Sequence, residues 1–270
     1  MRISASTRVF AVLGDPVSHS LSPRMQQAGF LAAGLDAVYI ALPCTAVQLP
    51  VVVETLVASG GGGNITIPHK HAAAALTGTR DERVATLGVA NVFGSSNGGG
   101  IALANTDVDG VLSALDRLEA PPTAWYLLGT GGSARAVVGA ARERGARIAV
   151  RSRAPGRAEA FMAWCASIGV VAAAVDECEV VINATPLGLT GGDTLPIDAA
   201  QCPALRVALD LTYLEHGATR WVEACRARGL RAEDGRHILL VQGAASWRTW
   251  FPGVTPPMAV MQAALDGRLG

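Results

Sequence analysis

Short apolar runs alternate with longer stretches of helical periodicity along most of this chain, the pattern of a largely parallel sheet covered by helices. Residues 8–13 read as a strand, closed by Gly14-Asp15-Pro16. A polar loop, 17–22, leads to Pro23, which suits the first turn of a helix reaching about Ala33. A strand over 37–42 and a helix over 49–58 follow. The four glycines 60–63 read as a tight turn into a strand at 64–67, which Pro68 ends before a helix from about His71. Residues 90–93 and 101–104 form a predicted hairpin, and 107–118 a helix.

Beyond Pro121-Pro122 the rhythm is strand then helix. Strands are predicted at 125–128, 146–150, 170–174, 180–183 and 207–211, and helices at 132–144, 155–168 and 219–228. Two further helices, 236–250 and 255–265, follow them. The expected fold class is α/β with two domains. The first spans 1–108 and is completed by 235–270, and the second, a Rossmann-type doubly wound domain, spans 109–234. The cleft between them is the expected site, with hinge closure excluding water.

Composition narrows the function. The 270 residues carry 22 Lys plus Arg against 22 Asp plus Glu, a balance that points away from nucleic acid and from anionic membranes. Arg8 interrupts the first apolar run, so no secretory signal is expected, and no stretch approaches the length of a membrane span. The five cysteines are scattered and lack Cys-x-x-Cys spacing, which suits reduced thiols in the cytoplasm. His69 and His71 form a His-x-His pair without further His or Cys nearby, so no metal is expected.

The string Gly129-Thr130-Gly131-Gly132-Ser133-Ala134 follows an apolar strand and opens a helix. Its glycines permit a sharp turn and close approach of the backbone to a pyrophosphate, and the helix N-terminus supplies free N–H groups. An NAD-binding domain usually carries Asp or Glu after its second strand. Here that stretch reads Arg151-Ser152-Arg153-Ala154-Pro155-Gly156-Arg157. With no carboxylate present, Arg153 and Arg157 suit a 2′-phosphate, and NADP(H) is the expected cofactor, with Ser152 beside them.

Upstream, three polar clusters stand at predicted strand ends: Ser18-His19-Ser20-Leu21-Ser22-Pro23, Asn64-Ile65-Thr66-Ile67-Pro68-His69-Lys70, and Asn105-Thr106-Asp107. Hydroxyls and amides match the groups of a polyhydroxylated acid, and Lys70 and Asp107 could exchange a proton with a reacting alcohol.

At these clusters the chain resembles the shikimate dehydrogenase family. The resemblance continues through Gly88-Val89-Ala90-Asn91, Gly129 to Arg135, Asn183-Ala184-Thr185-Pro186, Asp210 to Tyr213 and Leu239 to Gly243. It implies NADP-dependent, reversible reduction of 3-dehydroshikimate to shikimate, on the route to aromatic amino acids, by a monomer or homodimer. It makes the first domain substrate-binding and the second NADP-binding. It implies that Ser20 and Ser22 hold the substrate carboxylate, that Thr66, Asn91 and Gln242 bind ring hydroxyls, and that Asn64 and Tyr213 also line the substrate. Lys70 and Asp107 form the implied catalytic pair. Cofactor contacts are implied at Gly129, Thr130, Gly131, Gly132, Ser133, Ala134, Ser152, Arg153, Arg157, Asn183, Thr185, Leu211 and Gly235.

Two departures stand out. Ser152-Arg153-Ala154 replaces the family's common Asn-Arg-Thr, removing one hydroxyl. Gly235-Arg236-His237-Ile238 replaces Gly-x-Gly-Met, setting an imidazole where a glycine would approach the nicotinamide. That second change admits a relative acting on quinate or an aminoshikimate, or a silent sensor of the same ligands.

Overall fold

The computed structural model describes residues 3–188 and 194–268. It divides into two compact units, 1–106 with 239–270, and 107–238.

The first unit is built on a six-stranded sheet. Its strands are β1 (Arg8–Gly14), β2 (Ala37–Pro43), β3 (Gly62–Ile65), β4 (Thr79–Arg80), β5 (Val92–Ser95) and β6 (Ile101–Ala104), in the order β2-β1-β3-β5-β6-β4. The sheet is mixed, because β5 runs antiparallel to both β3 and β6. Helices α1 (Ser22–Ala32), α2 (Leu49–Ala58), α3 (Lys70–Ala74) and α4 (Glu82–Leu87) link the strands. Alternate side chains of β1 point to opposite faces of the sheet, so it contributes to the packing on both. Phe10 and Val12 enter a cluster with Phe30, Tyr39, Trp247, Trp250 and Phe251. Ala11 and Leu13 enter another with Leu49, Val53, Ile65, Phe93 and Leu103.

The glycine run differs from its expectation. Only Gly60 and Gly61 turn the chain, whereas Gly62 and Gly63 belong to β3. A Cβ on Gly63 would lie 2.0 Å from the carbonyl oxygen of Ala11, so this strand needs bare backbone to fit beside β1. The short β4 and α4 carry too little periodicity to be read in advance. Asp81 caps α4 by accepting a hydrogen bond from Val84 N, and its other oxygen accepts one from Asn105 N.

The second unit holds five parallel strands: β7 (Ala124–Leu128), β8 (Arg147–Arg151), β9 (Val180–Asn183), β10 (Val207–Asp210) and β11 (Arg231–Glu233). Their order is β11-β10-β9-β7-β8. Helices α5 (Asp107–Arg117), α6 (Gly132–Arg144), α7 (Pro155–Ser167) and α8 (Arg220–Ala227) belong to the same unit. The strand expected at 170–174 is reduced to one bridge, Ala172 beside Ile148, on the outer side of β8. Val171 is 63% exposed, so this edge lacks the burial that would extend the pairing. With that bridge counted, the order is that of a doubly wound nucleotide-binding sheet.

The expected helix 236–250 is two, α9 (Arg236–Ala245) and α10 (Trp247–Trp250), and Met258–Leu265 forms α11. Ser246 separates α9 from α10, and its hydroxyl bonds back to the Gln242 carbonyl. That local bond competes with the continuing helix. The second unit begins at Asp107 and ends at Ile238, so it takes in Asp107 and Gly235, which the sequence expectation gave to the first. The physical reason is that α5 packs against α6 as a single helix.

Candidate functional site

Within the first unit, five separated stretches of chain meet in one buried hydrogen-bonded network. Asn64, at the third position of β3, accepts from the Tyr39 hydroxyl at 2.7 Å. It donates to the carbonyl of Asn91 at 3.1 Å and to Ser246 Oγ at 2.9 Å. Asn91, just before β5, donates to Thr106 Oγ1 and to Gln242 Oε1, both at 3.1 Å, and accepts from Thr106 N at 2.8 Å. Gln242 sits on α9, 7% exposed, and donates to the Leu239 carbonyl at 3.0 Å. A buried amide must be satisfied, and each of these is.

The expected residues Asn64, Asn91 and Gln242 thus come together, joined by Tyr39, Thr106 and Ser246, which sequence reasoning did not assign. Tyr39 reads as an ordinary apolar strand residue, since nothing local marks where its hydroxyl goes. Ser246 lies inside what reads as continuous helix.

Thr66 follows β3 and is half-buried, its N–H donating to the Leu13 carbonyl at 2.9 Å. Lys70 opens α3 and is only 8% exposed, an unusual burial for a lysine. Its backbone carbonyl accepts from Ala90 N at 3.0 Å, fixing the turn against the strand before Asn91. His69 is buried, and its Nε2 donates to the Cys44 carbonyl at 2.6 Å. That bond occupies one member of the His-x-His pair. Among the described residues, no group of three or more His, Cys, Asp or Glu gathers as a metal would need. Ser22 is buried at the start of α1, and its N–H donates to Ser20 Oγ at 3.3 Å.

In the second unit, the glycine string forms the turn from β7 into α6. Gly129 takes φ +109°, and a Cβ there would meet the Ala184 carbonyl oxygen at 2.9 Å. Gly131 caps α6 with no side-chain bond, and a Cβ there would enter open space. With no side-chain cap from Gly131, α6 begins with a helix end that an anion can approach. Thr130 lies between the two glycines. At the end of β8, Arg151, Arg153 and Arg157 are all exposed, and Pro155 opens α7 as expected. No carboxylate stands there. The open helix end, the glycine where the backbone must pass closely and the arginines after β8 fit a dinucleotide bearing an extra phosphate.

Asn183 ends β9. It is fully buried, with its amide donating to Asp210 Oδ1 at 2.9 Å and to the Leu187 carbonyl at 3.2 Å. Its Oδ1 accepts from Thr185 N and Thr185 Oγ1. It therefore shapes the 184–187 turn from within. Asp210 also accepts from the Thr212 and Thr219 hydroxyls, and burial raises its carboxyl pKa against the pull of those bonds. Leu211 N donates to the Asn183 carbonyl, and Gly235 N to the Thr212 carbonyl. Tyr213 lies in the same loop, half-buried.

His237 does not hang free at the start of α9. Its Nε2 shares a hydrogen bond of 2.8 Å with Ser113 Oγ of α5. Ile238 packs so closely that a Cβ on Gly110 would lie 2.7 Å from its Cγ2.

A parallel sheet with a glycine turn, an open helix end and an arginine-bearing strand end defines a dinucleotide-binding α/β protein. The chain belongs to the shikimate dehydrogenase family. The family model for the shikimate dehydrogenase substrate binding domain matches residues 12–93. The NADP(+) shikimate dehydrogenase of Rubrobacter xylanophilus is 34% identical, over 98% of each chain. That of Methanothrix thermoacetophila is 36% identical, over 97% of this chain and 98% of the other. The crystal structure of shikimate 5-dehydrogenase from Thermus thermophilus with NADP(H) and shikimate superposes with a TM-score of 0.85 at 33% identity, covering 97% of this chain and all of the other.

Proposed function

We propose that this chain is an NADP(H)-dependent shikimate dehydrogenase that interconverts 3-dehydroshikimate and shikimate in the biosynthesis of aromatic amino acids. The observation that carries the reading is the meeting of Asn64, Asn91, Thr106 and Gln242 in one buried polar network. Such a network holds its amides and hydroxyls in set orientations, with which a ring bearing several hydroxyls can exchange bonds.

NADPH supplies the hydride. In reduction the hydride goes to the carbonyl carbon, and Lys70 gives a proton to the carbonyl oxygen. In oxidation Lys70 removes the alcohol proton as the hydride leaves. Its burial at the start of α3 restricts where the ammonium can go, which suits a group that must meet one oxygen in both directions. Asp107 binds the neighbouring hydroxyl. Ser20 and Ser22 take the substrate carboxylate. Thr66, Asn91 and Gln242 take ring hydroxyls, with Asn64 and Tyr213 completing the wall. Gly129 to Ala134 receive the pyrophosphate, and Ser152, Arg153 and Arg157 the 2′-phosphate. Leu211 and Gly235 border the nicotinamide, and Asn183 and Thr185 hold the adjoining turn. The reading places a monomer or homodimer in the cytoplasm, with small molecules as its only reactants.

A steady-state assay of purified protein, crossing shikimate and quinate with NADP and NAD, tests this. The expected result is dinucleotide reduction fastest with shikimate and NADP. Faster turnover of quinate would move the enzyme to a sibling activity, and tight shikimate binding without turnover would make it a sensor.

A further inference from the structure

The loop that joins β10 to α8, residues 211–219, leaves the C-terminal edge of the sheet, where ligands of open parallel sheets bind. Its ends are tied inward. Asp210 accepts from Thr212 N at 3.0 Å and from the hydroxyls of Thr212 and Thr219 at 2.8 Å each. Its crest is held differently. Arg236, the first residue of α9, sends one nitrogen, Nη2, to the carbonyls of Leu214 at 2.7 Å and Glu215 at 2.8 Å. The adjacent Gly235 lies flat against the loop, because a Cβ there would stand 2.3 Å from the Leu211 carbonyl oxygen.

From this geometry we infer that Arg236 is a positioning residue for the nicotinamide half of the cofactor, acting by holding the loop that carries Leu211 and Tyr213. The inference rests on the dinucleotide reading above. The arginines proposed for the 2′-phosphate follow β8, whereas this loop follows β10, and β7 and β9 lie between them. At the usual strand spacing that is about 14 Å. Arg236 therefore acts on one end of an extended dinucleotide and leaves the other alone. Without the guanidinium the crest must be ordered when ligand binds, and that ordering weakens affinity.

The test compares binding of NADPH, followed by its fluorescence, with binding of 2′,5′-ADP, which probes only the adenosine end. Arg236→Met is expected to raise the Kd for NADPH about tenfold. The Kd for 2′,5′-ADP should stay within about twofold of the unaltered protein, and Arg236→Lys should restore part of the loss. If Arg236→Met does not fold, Arg236→Gln is read by the same pair of constants. Equal weakening of both ligands, or of neither, overturns the inference and leaves the dinucleotide reading standing. An unaltered protein that binds neither ligand overturns both.

Discussion

Asn91 and Gln242 stand 151 positions apart in the chain, yet the side-chain amide of the first donates to the side-chain oxygen of the second across 3.1 Å. The bond couples the strand region before β5 to α9, and each group is buried. Asn91→Ala would leave Gln242 Oε1, Thr106 N and Thr106 Oγ1 each short of a partner. The expected loss is about 2 kcal/mol of folding stability, with a raised KM for shikimate. Urea unfolding and steady-state kinetics check both. A variant as stable as the parent would show that the network is not what orders this region.

Lys70→Ala should lower kcat about a thousandfold, while shikimate still binds within a few-fold of its original affinity. Calorimetric titration beside the rate assay separates the two effects. Activity retained near the original level would remove Lys70 from the proton transfer.

The two glycine-rich segments should respond oppositely. Gly63→Ala forces a Cβ against the Ala11 carbonyl and the Phe93 ring, and should destabilise the fold by about 3 kcal/mol or prevent folding. Gly131→Ala meets open space at an ordinary φ of −86°, and should cost at most about 1 kcal/mol. It should nonetheless weaken NADPH binding about tenfold, since its methyl occupies the approach to the helix end. Melting curves and NADPH titration of both variants provide the comparison.

Arg153→Asp replaces a guanidinium expected at the 2′-phosphate with a carboxylate. The KM for NADPH should rise about a hundredfold, and that for NADH by no more than a few-fold. Equal changes for the two cofactors would dismiss the role assigned to the β8 end.

His237 links pH to stability. Burial lowers its pKa first, the Arg117 charge adds to that, and Glu233 opposes both. The folded protein therefore prefers the neutral ring. The stabilising contribution is complete above the ordinary histidine pKa and is lost as pH falls through the lowered one. His237→Gln should accordingly show a smaller fall in Tm than the parent between about pH 8 and about pH 5. Parallel Tm profiles would exclude this residue as the source.

How far the chain could be read in advance depended on the range of the interactions concerned. The glycine string after β7 was legible because a sharp turn and a helix N-terminus are local demands on consecutive residues. The arginines after β8 were legible for the same reason, as was the unbroken apolar run that makes 180–183 a buried strand. The lysine and aspartate of the upstream clusters were legible only as motifs in order, since a single Lys70 or Asp107 carries no more information than its side chain.

By itself, the sequence determined the two-part α/β plan and the dinucleotide turn, which follow from periodicity and spacing along a few turns of chain, and it offered the candidate polar residues through the resemblance of its ordered motifs. Tertiary structure alone decided that Tyr39 and Ser246 join Asn64 and that Gln242 is buried beside Asn91. It also decided that Gly62 and Gly63 form strand, that Asn183 works from inside the protein, and that 170–174 pairs at one point only. The reason is the same in each case. A buried hydrogen bond or a backbone contact depends on the partner that long-range folding brings near, and no residue's own neighbours in the chain specify that partner.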